Sequence, residues 1–447
     1  MSFPKYPAYK DSGVEWLGSV PSHWDVKPVK HLVSCNDEVL PENTISSVEL
    51  RYIEISDVTE IEGVRNVQNL VFGEAPSRAR RKVHEGDIIV STVRTYLKAI
   101  AQIDARLADA IVSTGFAVLR PTDDIDSSFL AYFARSPYFL ETIVAYSVGV
   151  SYPAINASDI LDIKLPFPPL AEQRAIAAFL DAATARIDAL VAKQQALIAT
   201  LQEKRRALIS HVVTKGLDAA APMKDSGVPW LGAVPAHWEV KPIKYLVEME
   251  SGGTPDKSNL EYWDGTVPWA SAKDLKIDLL RDTEDHISQF AIDSGAASLV
   301  AEESVIIVVR GMILVHTLPV SINLVPLAIN QDLKALHPGD SLLARFLAWV
   351  LRGLSDAFLA RTDTAGHGTK ALRTDDWNDI ELGVPSLEEQ RSITDYIERE
   401  TVCLDTLIAK AQAFIVLSRE HRTALIAAAV TGQIDVRGWA AGALASV

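Results

Sequence analysis

Cysteine is scarce in this chain of 447 residues: only Cys35 and Cys403 occur, far apart and outside any CxxC spacing. That excludes a disulfide framework and a cysteine-rich zinc site. The ten histidines form no HExxH or HxxxH pair, so no metal centre is expected. No apolar run approaches the roughly eighteen residues of a membrane span, and the opening MSFPKYPAYK has no signal-peptide core, which points to the cytoplasm. Catalytic signatures are missing too. There is no GxxxxGKS/T phosphate loop, no GxGxxG after a strand, no GxSxG, no DPPY-type methyltransferase motif and no clear nuclease carboxylate cluster. The expectation is a non-catalytic chain with no catalytic residues, no metal and no cofactor of its own.

Positive charge is also in short supply. The formal charge is −15 at pH 7, and a nucleic-acid duplex repels such a chain unless cations gather on one face or a partner supplies them. What the chain does have is length enough for more than one domain, and an internal repeat. Lys10–Val33 reads KDSGVEWLGSVPSHWDVKPVKHLV and Lys224–Val247 reads KDSGVPWLGAVPAHWEVKPIKYLV, with 18 identities in 24 positions. At an offset of 217, PPLAEQRAIAAFLDAATARIDALVAKQQAL from Pro168 answers PSLEEQRSITDYIERETVCLDTLIAKAQAF from Pro385. The chain is a tandem duplication.

Leu170–Lys215 and Ser386–Thr431 each run 46 residues without Gly or Pro, preceded by Pro and followed by Gly, which are helix start and stop signals. At ~1.5 Å per residue each helix is about 70 Å long, more than one domain can bury, so each needs another helix. Leu180, Ile187, Gln194, Leu201 and Leu208 recur every seven residues beside Ala183, Leu190, Leu197 and Lys204. Ile397, Leu404, Ala411, Ser418 and Leu425 do so beside Leu407 and Phe414. This predicts an antiparallel coiled coil with approximate two-fold symmetry, the alternative being that each helix packs along its own domain. The block WLGxVPxHWxVKP, with Trp16, Pro21 and Trp24 matched by Trp230, Pro235 and Trp238, serves either as a repeated docking surface or as aromatic–proline packing against the helix base.

Between the kept blocks the halves diverge into α/β segments, with buried-strand runs such as GDIIVSTVR near Ile88 and ESVIIVVR near Val305. The fold class expected is two similar α/β domains in tandem, separated by two long helices. The boundaries are 1–165 for the first domain, 166–216 for its helix, 217–382 for the second domain, 383–433 for its helix and 434–447 for a tail. Cations and aromatics that suit a duplex are Arg78, Arg80, Arg81 and Lys82, then Arg94, Tyr96, Lys98 and Tyr152 in the first domain. In the second they are Lys257, Ser258, Asn259, Tyr262, Trp263 and Lys273, followed by Arg310, His367, Thr369, Lys370 and Arg373. Arg reads guanine, Asn reads adenine, and Lys and Ser hold phosphates. For any one of them the alternative is a solvated surface charge.

Two variable domains, each closed by LPFPPLAEQRAIAAFLD or LGVPSLEEQRSITDYIE and a long helix, with DSGVxWLGxVPxHWxVKPxK ahead of each, resemble the specificity subunit of type I restriction–modification enzymes. The likeness covers essentially the whole chain. GGTPDKSNLEYWDGTVPWASAKDLK from Gly252 is similar to the opening of a target-recognition domain, and GHGTKALRTDDWNDIELGVPSLEEQ to its close. The first domain lacks the GGTP opening, so its contact residues rest on charge alone. The resemblance implies that each target-recognition domain reads one half of a bipartite, asymmetric site in double-stranded DNA, and that the helices set the spacer. It implies two methylation subunits carrying S-adenosylmethionine, and restriction subunits that use ATP and Mg. A rival from another class is a coiled-coil scaffold presenting two protein-binding domains without DNA.

Overall fold

A computed structural model describes residues 3–60, 62–364 and 370–439. Two compact units divide the chain: Met1–Gln194 with Ala413–Val447, and Gln195–Gln412. In unit one, the run Ile88–Ser91 is buried at every position, as a short continuous apolar run in a sheet interior should be. It lies inside a four-stranded antiparallel sheet in the order Ile100–Gln102, Ile88–Ser91, Phe116–Pro121, Val33–Cys35. Unit two has the corresponding order Val320–Asn323, Val305–Val308, Leu333–Pro338, Val247–Ser251, with Leu279–Leu280 added beside Val320–Asn323.

The register repeats as well as the order. Ile88 faces Leu119 and Val305 faces Leu336, and 305 − 88 equals 336 − 119, which is 217. A second sheet in each unit contains one parallel pair: Ile111 beside Tyr52 in unit one, Ala328 beside Trp269 in unit two, again 217 apart. The duplication therefore persists through the stretch where sequence identity has faded. Register needs only that the same face stay apolar, and cores accept many apolar exchanges.

Two long helices, Leu170–Lys215 and Leu387–Val430, contribute a length to each unit. Each stops at a left-handed glycine, Gly216 at φ +73 and Gly432 at φ +74, the usual C-terminal cap. A Cβ at Gly432 would meet Pro21 and Trp24, so the repeated Trp–Pro block is packed against the helix end. Trp24 and Trp238 are fully buried, while Trp16 is half exposed. That favours packing for the second tryptophan of the block.

Within unit one, Leu180 and Ala183 share a core with Leu425, Ile426 and Val430, and Arg422 meets Asp188 at 3.3 Å. Within unit two, Ile209 and Val213 share a core with Ile393 and Ile397, and Arg205 meets Asp405 at 2.9 Å. The lengths run antiparallel: in unit two the Gly216 end lies by Glu389 while Arg205 reaches Asp405. Asp188 and Asp405 are repeat equivalents, as are Arg205 and Arg422, so both units make one ion pair in two copies.

The two heptad columns are unequally covered, Ala183 being the buried member of the second. Leu180, Ile397, Leu404, Ala411 and Leu425 are buried, whereas Leu190 and Phe414 in unit one, and Leu197 and Leu407 in unit two, are exposed. By length and composition Leu387–Val430 would suffice to cross a membrane. Its apolar excess combines buried Leu404, Ala411 and Ile415 with exposed Val402, Leu407, Phe414, Val416 and Leu417.

The motif at each helix start is a bracket. Gln173 accepts from the Asp126 backbone N–H at 2.8 Å and donates to the Pro168 carbonyl at 2.9 Å; Gln390 accepts from Leu343 N–H and donates to the Pro385 carbonyl at the same distances. Glu172 takes His23 at 2.9 Å and Glu389 takes His237 at 2.8 Å. These contacts hold domain to helix in both units.

Candidate nucleic-acid interface

The buried strand Ile88–Ser91 leads out of the unit-one sheet into a strained loop. Arg94 at φ 51 and Lys98 at φ 49 are both left-handed, and they flank the single turn Thr95–Leu97. Long side chains avoid that conformation, so the surroundings must impose it. They do: Thr92 and Val93 pair with the segment ending at Ile155, Thr95 Oγ1 and Ser147 Oγ lie 2.8 Å apart, and Val148 bridges to Ala154. The Arg94 guanidinium lies over the Tyr152 ring at 5.2 Å. Around it Tyr96, Leu97, Val148 and Val150 are exposed, and Tyr152 is 67% exposed. Lys98 reaches Glu60 at 3.8 Å.

Unit two builds the same feature with other chemistry. Strand Val305–Val308 leads to Gly311 at φ 150, the repeat equivalent of Arg94, and then to the single turn Met312–Val315. Arg310 bridges to Ala371, Gly311 N–H donates to the Lys370 carbonyl at 3.0 Å, and Leu372 N–H donates to the Val309 carbonyl. Met312, Ile313 and Val315 are exposed, as are Arg310 and Arg373.

Arg94, Tyr96, Lys98 and Tyr152 thus come together in unit one, and Arg310 and Lys370 in unit two. The other candidates are placed elsewhere. Arg78 pairs with Glu54, and Arg80 lies over Phe72 at 4.7 Å. Arg81 turns into the domain, donating to Asn36 Oδ1 and the Phe116 carbonyl, and burial lowers its pKa. Lys82 ends the strand Ala79–Lys82. Lys257 and Ser258 sit in an exposed turn, Ser258 donating to Asp256, and Asn259 caps the next turn. Tyr262 stacks on Phe290 at 5.7 Å, and Trp263 meets Trp269 edge-on at 5.3 Å. Lys273 is held by Glu284 and Asp285, both at 2.9 Å, which raises its pKa. His367 and Thr369 lie outside the described residues.

Leu97, Val148, Val150, Met312, Ile313 and Val315 had no place among the sequence candidates. The signal that could have found them is apolar side chains just beyond a buried strand, where a loop should be polar. Among the described residues a hydroxyl–imidazole–carboxylate chain runs from Ser304 Oγ to His337 Nδ1 at 2.9 Å and from His337 Nε2 to Glu250 at 3.1 Å. Ser304 is buried and its hydroxyl also donates to the Ala301 carbonyl at 2.8 Å, so it is a lock between strands rather than a nucleophile facing a cleft. Among the described residues no cluster of three His, Cys, Asp or Glu side chains suits a metal.

The chain matches the family model for the type I restriction modification DNA specificity domain twice, over residues 22–199 and 235–411. A type I restriction enzyme specificity subunit of Escherichia coli is 28% identical over 162 residues, 36% of this chain and 40% of that one. The HindI specificity subunit of Haemophilus influenzae is 24% identical over 381 residues, 73% and 81% of the two chains. Among solved structures, a chain described under the complex assembly and conformational transition of the type I R-M system has TM-score 0.76 and 22% identity, covering 92% of this chain and 98% of its own. The HsdS subunit from Thermoanaerobacter tengcongensis has TM-score 0.56 at 22% identity over the same shares.

Proposed function

Since this chain belongs to the type I restriction modification DNA specificity family, we propose that it is the non-catalytic subunit that selects the DNA sequence for a cytoplasmic modification and restriction complex. One observation carries this reading. The two units share sheets, register and helix brackets, yet at the equivalent turn beyond the buried strand they present unlike side chains: exposed Arg94, Tyr96 and Leu97 with half-buried Lys98 in one, exposed Met312, Ile313 and Val315 in the other. A constant frame with two different probes suits a bipartite, asymmetric target, each unit reading one half in the major groove. The remaining cationic candidates, such as Lys257 and Arg373, then serve the phosphates.

The open column of Leu190, Leu197, Leu407 and Phe414 is the second part of the proposal. Leu190 and Leu407 are repeat equivalents, and so are Leu197 and Phe414, so the surface exists in two copies and suits two identical methylation subunits. Those subunits would bring S-adenosylmethionine and the cations that a chain of charge −15 lacks, and restriction subunits would bring ATP and Mg. Mapping methylated adenines in the host genome tests the reading. An asymmetric bipartite motif is expected, and a continuous or palindromic one would overturn it.

A further inference from the structure

The turn Met312–Val315 in unit two lies where unit one places its arginine, tyrosine and lysine. Its exposed side chains offer a base pair no hydrogen-bond donor and, as acceptor, only the weak thioether of Met312: Met312 is 62% exposed, Val315 47% and Ile313 42%. Its surroundings suit a duplex, because Arg310 stands at the foot of the turn, and Lys370 and Arg373 lie on the paired segment. An exposed apolar tip rimmed by cations touches an apolar feature while the rim holds phosphates. In the major groove a base pair shows only one apolar feature, the C5-methyl group of thymine. Resting on the DNA-reading function above, we propose that Met312, Ile313 and Val315 discriminate their half-site through thymine methyl groups, whereas the turn of unit one sets Arg94 and Tyr96 beside its exposed Leu97.

The test uses the full complex of this chain with its methylation subunits. The probes are duplexes carrying the methylated motif, with each thymine in both half-sites replaced in turn by deoxyuridine, which removes the methyl and keeps every hydrogen bond. At least one position in one half-site should then bind roughly fourfold more weakly, ~0.8 kcal/mol at 1.4 kcal/mol per tenfold. A complex carrying Met312→Ala and Ile313→Ala should bind the unmodified duplex more weakly, lose that sensitivity and keep its salt dependence. Ile313→Val should retain the sensitivity. Sequence-specific binding with no effect of any deoxyuridine, or an effect that persists in the double variant, would overturn the proposal and leave the DNA-reading function standing. A double variant that no longer assembles with the methylation subunits would mark the turn as a protein contact and overturn it too. Failure of the unaltered complex to prefer its motif would instead sink the function itself.

Discussion

Arg94 holds a left-handed backbone with its guanidinium over Tyr152, an arrangement that costs of order 1 kcal/mol and leaves the charge facing outward. Arg94→Gly should therefore raise the stability of unit one by about 1 kcal/mol while weakening DNA binding and lowering the salt slope by about one. Thermal melting and binding at two salt concentrations check both signs; a variant that melts lower would show that the loop carries no strain. Gln390→Ala makes the opposite bargain. It strands the Leu343 N–H and the Pro385 carbonyl in a buried setting, and about 2–4 kcal/mol of stability should go, measured by denaturant unfolding. Arg81 shows why composition misleads at this scale: it belongs to the densest basic run, yet a strand points successive side chains to opposite faces, and Arg81 points inward.

Helices were the most readable elements, because the long Gly- and Pro-free stretches between Pro and Gly state their own limits. The strand at Ile88 was readable from its apolar run. The parallel pairing of Tyr52 with Ile111 was not, since a local pattern fixes which face is buried and not which distant strand lies alongside. The heptads point to the antiparallel pairing that each unit makes, and the column of Leu180 and Ile397 is the more deeply buried of the two. Gly432→Ala should test the helix end: besides the left-handed φ, its Cβ would meet Pro21 and Trp24, whereas at Gly227 nothing lies within 4 Å. About 1 kcal/mol is expected for Gly227→Ala and clearly more for Gly432→Ala, compared by melting temperature.

At the scale of the whole chain, both ends belong to one unit. Tyr6 donates to Glu172 at 2.6 Å, Tyr9 to the Gly432 carbonyl at 3.0 Å, and Phe3 and Trp439 both meet Phe179 edge-on. In unit two the peptide chain itself runs from Gly216 into the Trp–Pro block. Removing residues 3–9 should loosen unit one alone, and Tyr6→Ala should already cost about 3 kcal/mol. Hydrogen exchange would then rise in strand Phe116–Pro121 and stay unchanged in Leu333–Pro338. Four residues inserted after Gln194, about one helical turn, should alter the spacer of the methylated motif and leave both half-sites as they were; changed half-sites would refute the ruler role.

That closure of the two ends sets an order on synthesis. Unit two is complete once residue 412 has left the ribosome, but unit one, whose first segment precedes unit two in the chain, waits for residues from Ala413 onward. Phe179 and Leu180 emerge long before Leu425 and Trp439 arrive to cover them. The half begun first is the half finished last, and in the interval it is the nascent chain's exposure to chaperones, and to aggregation, that its buried face must survive.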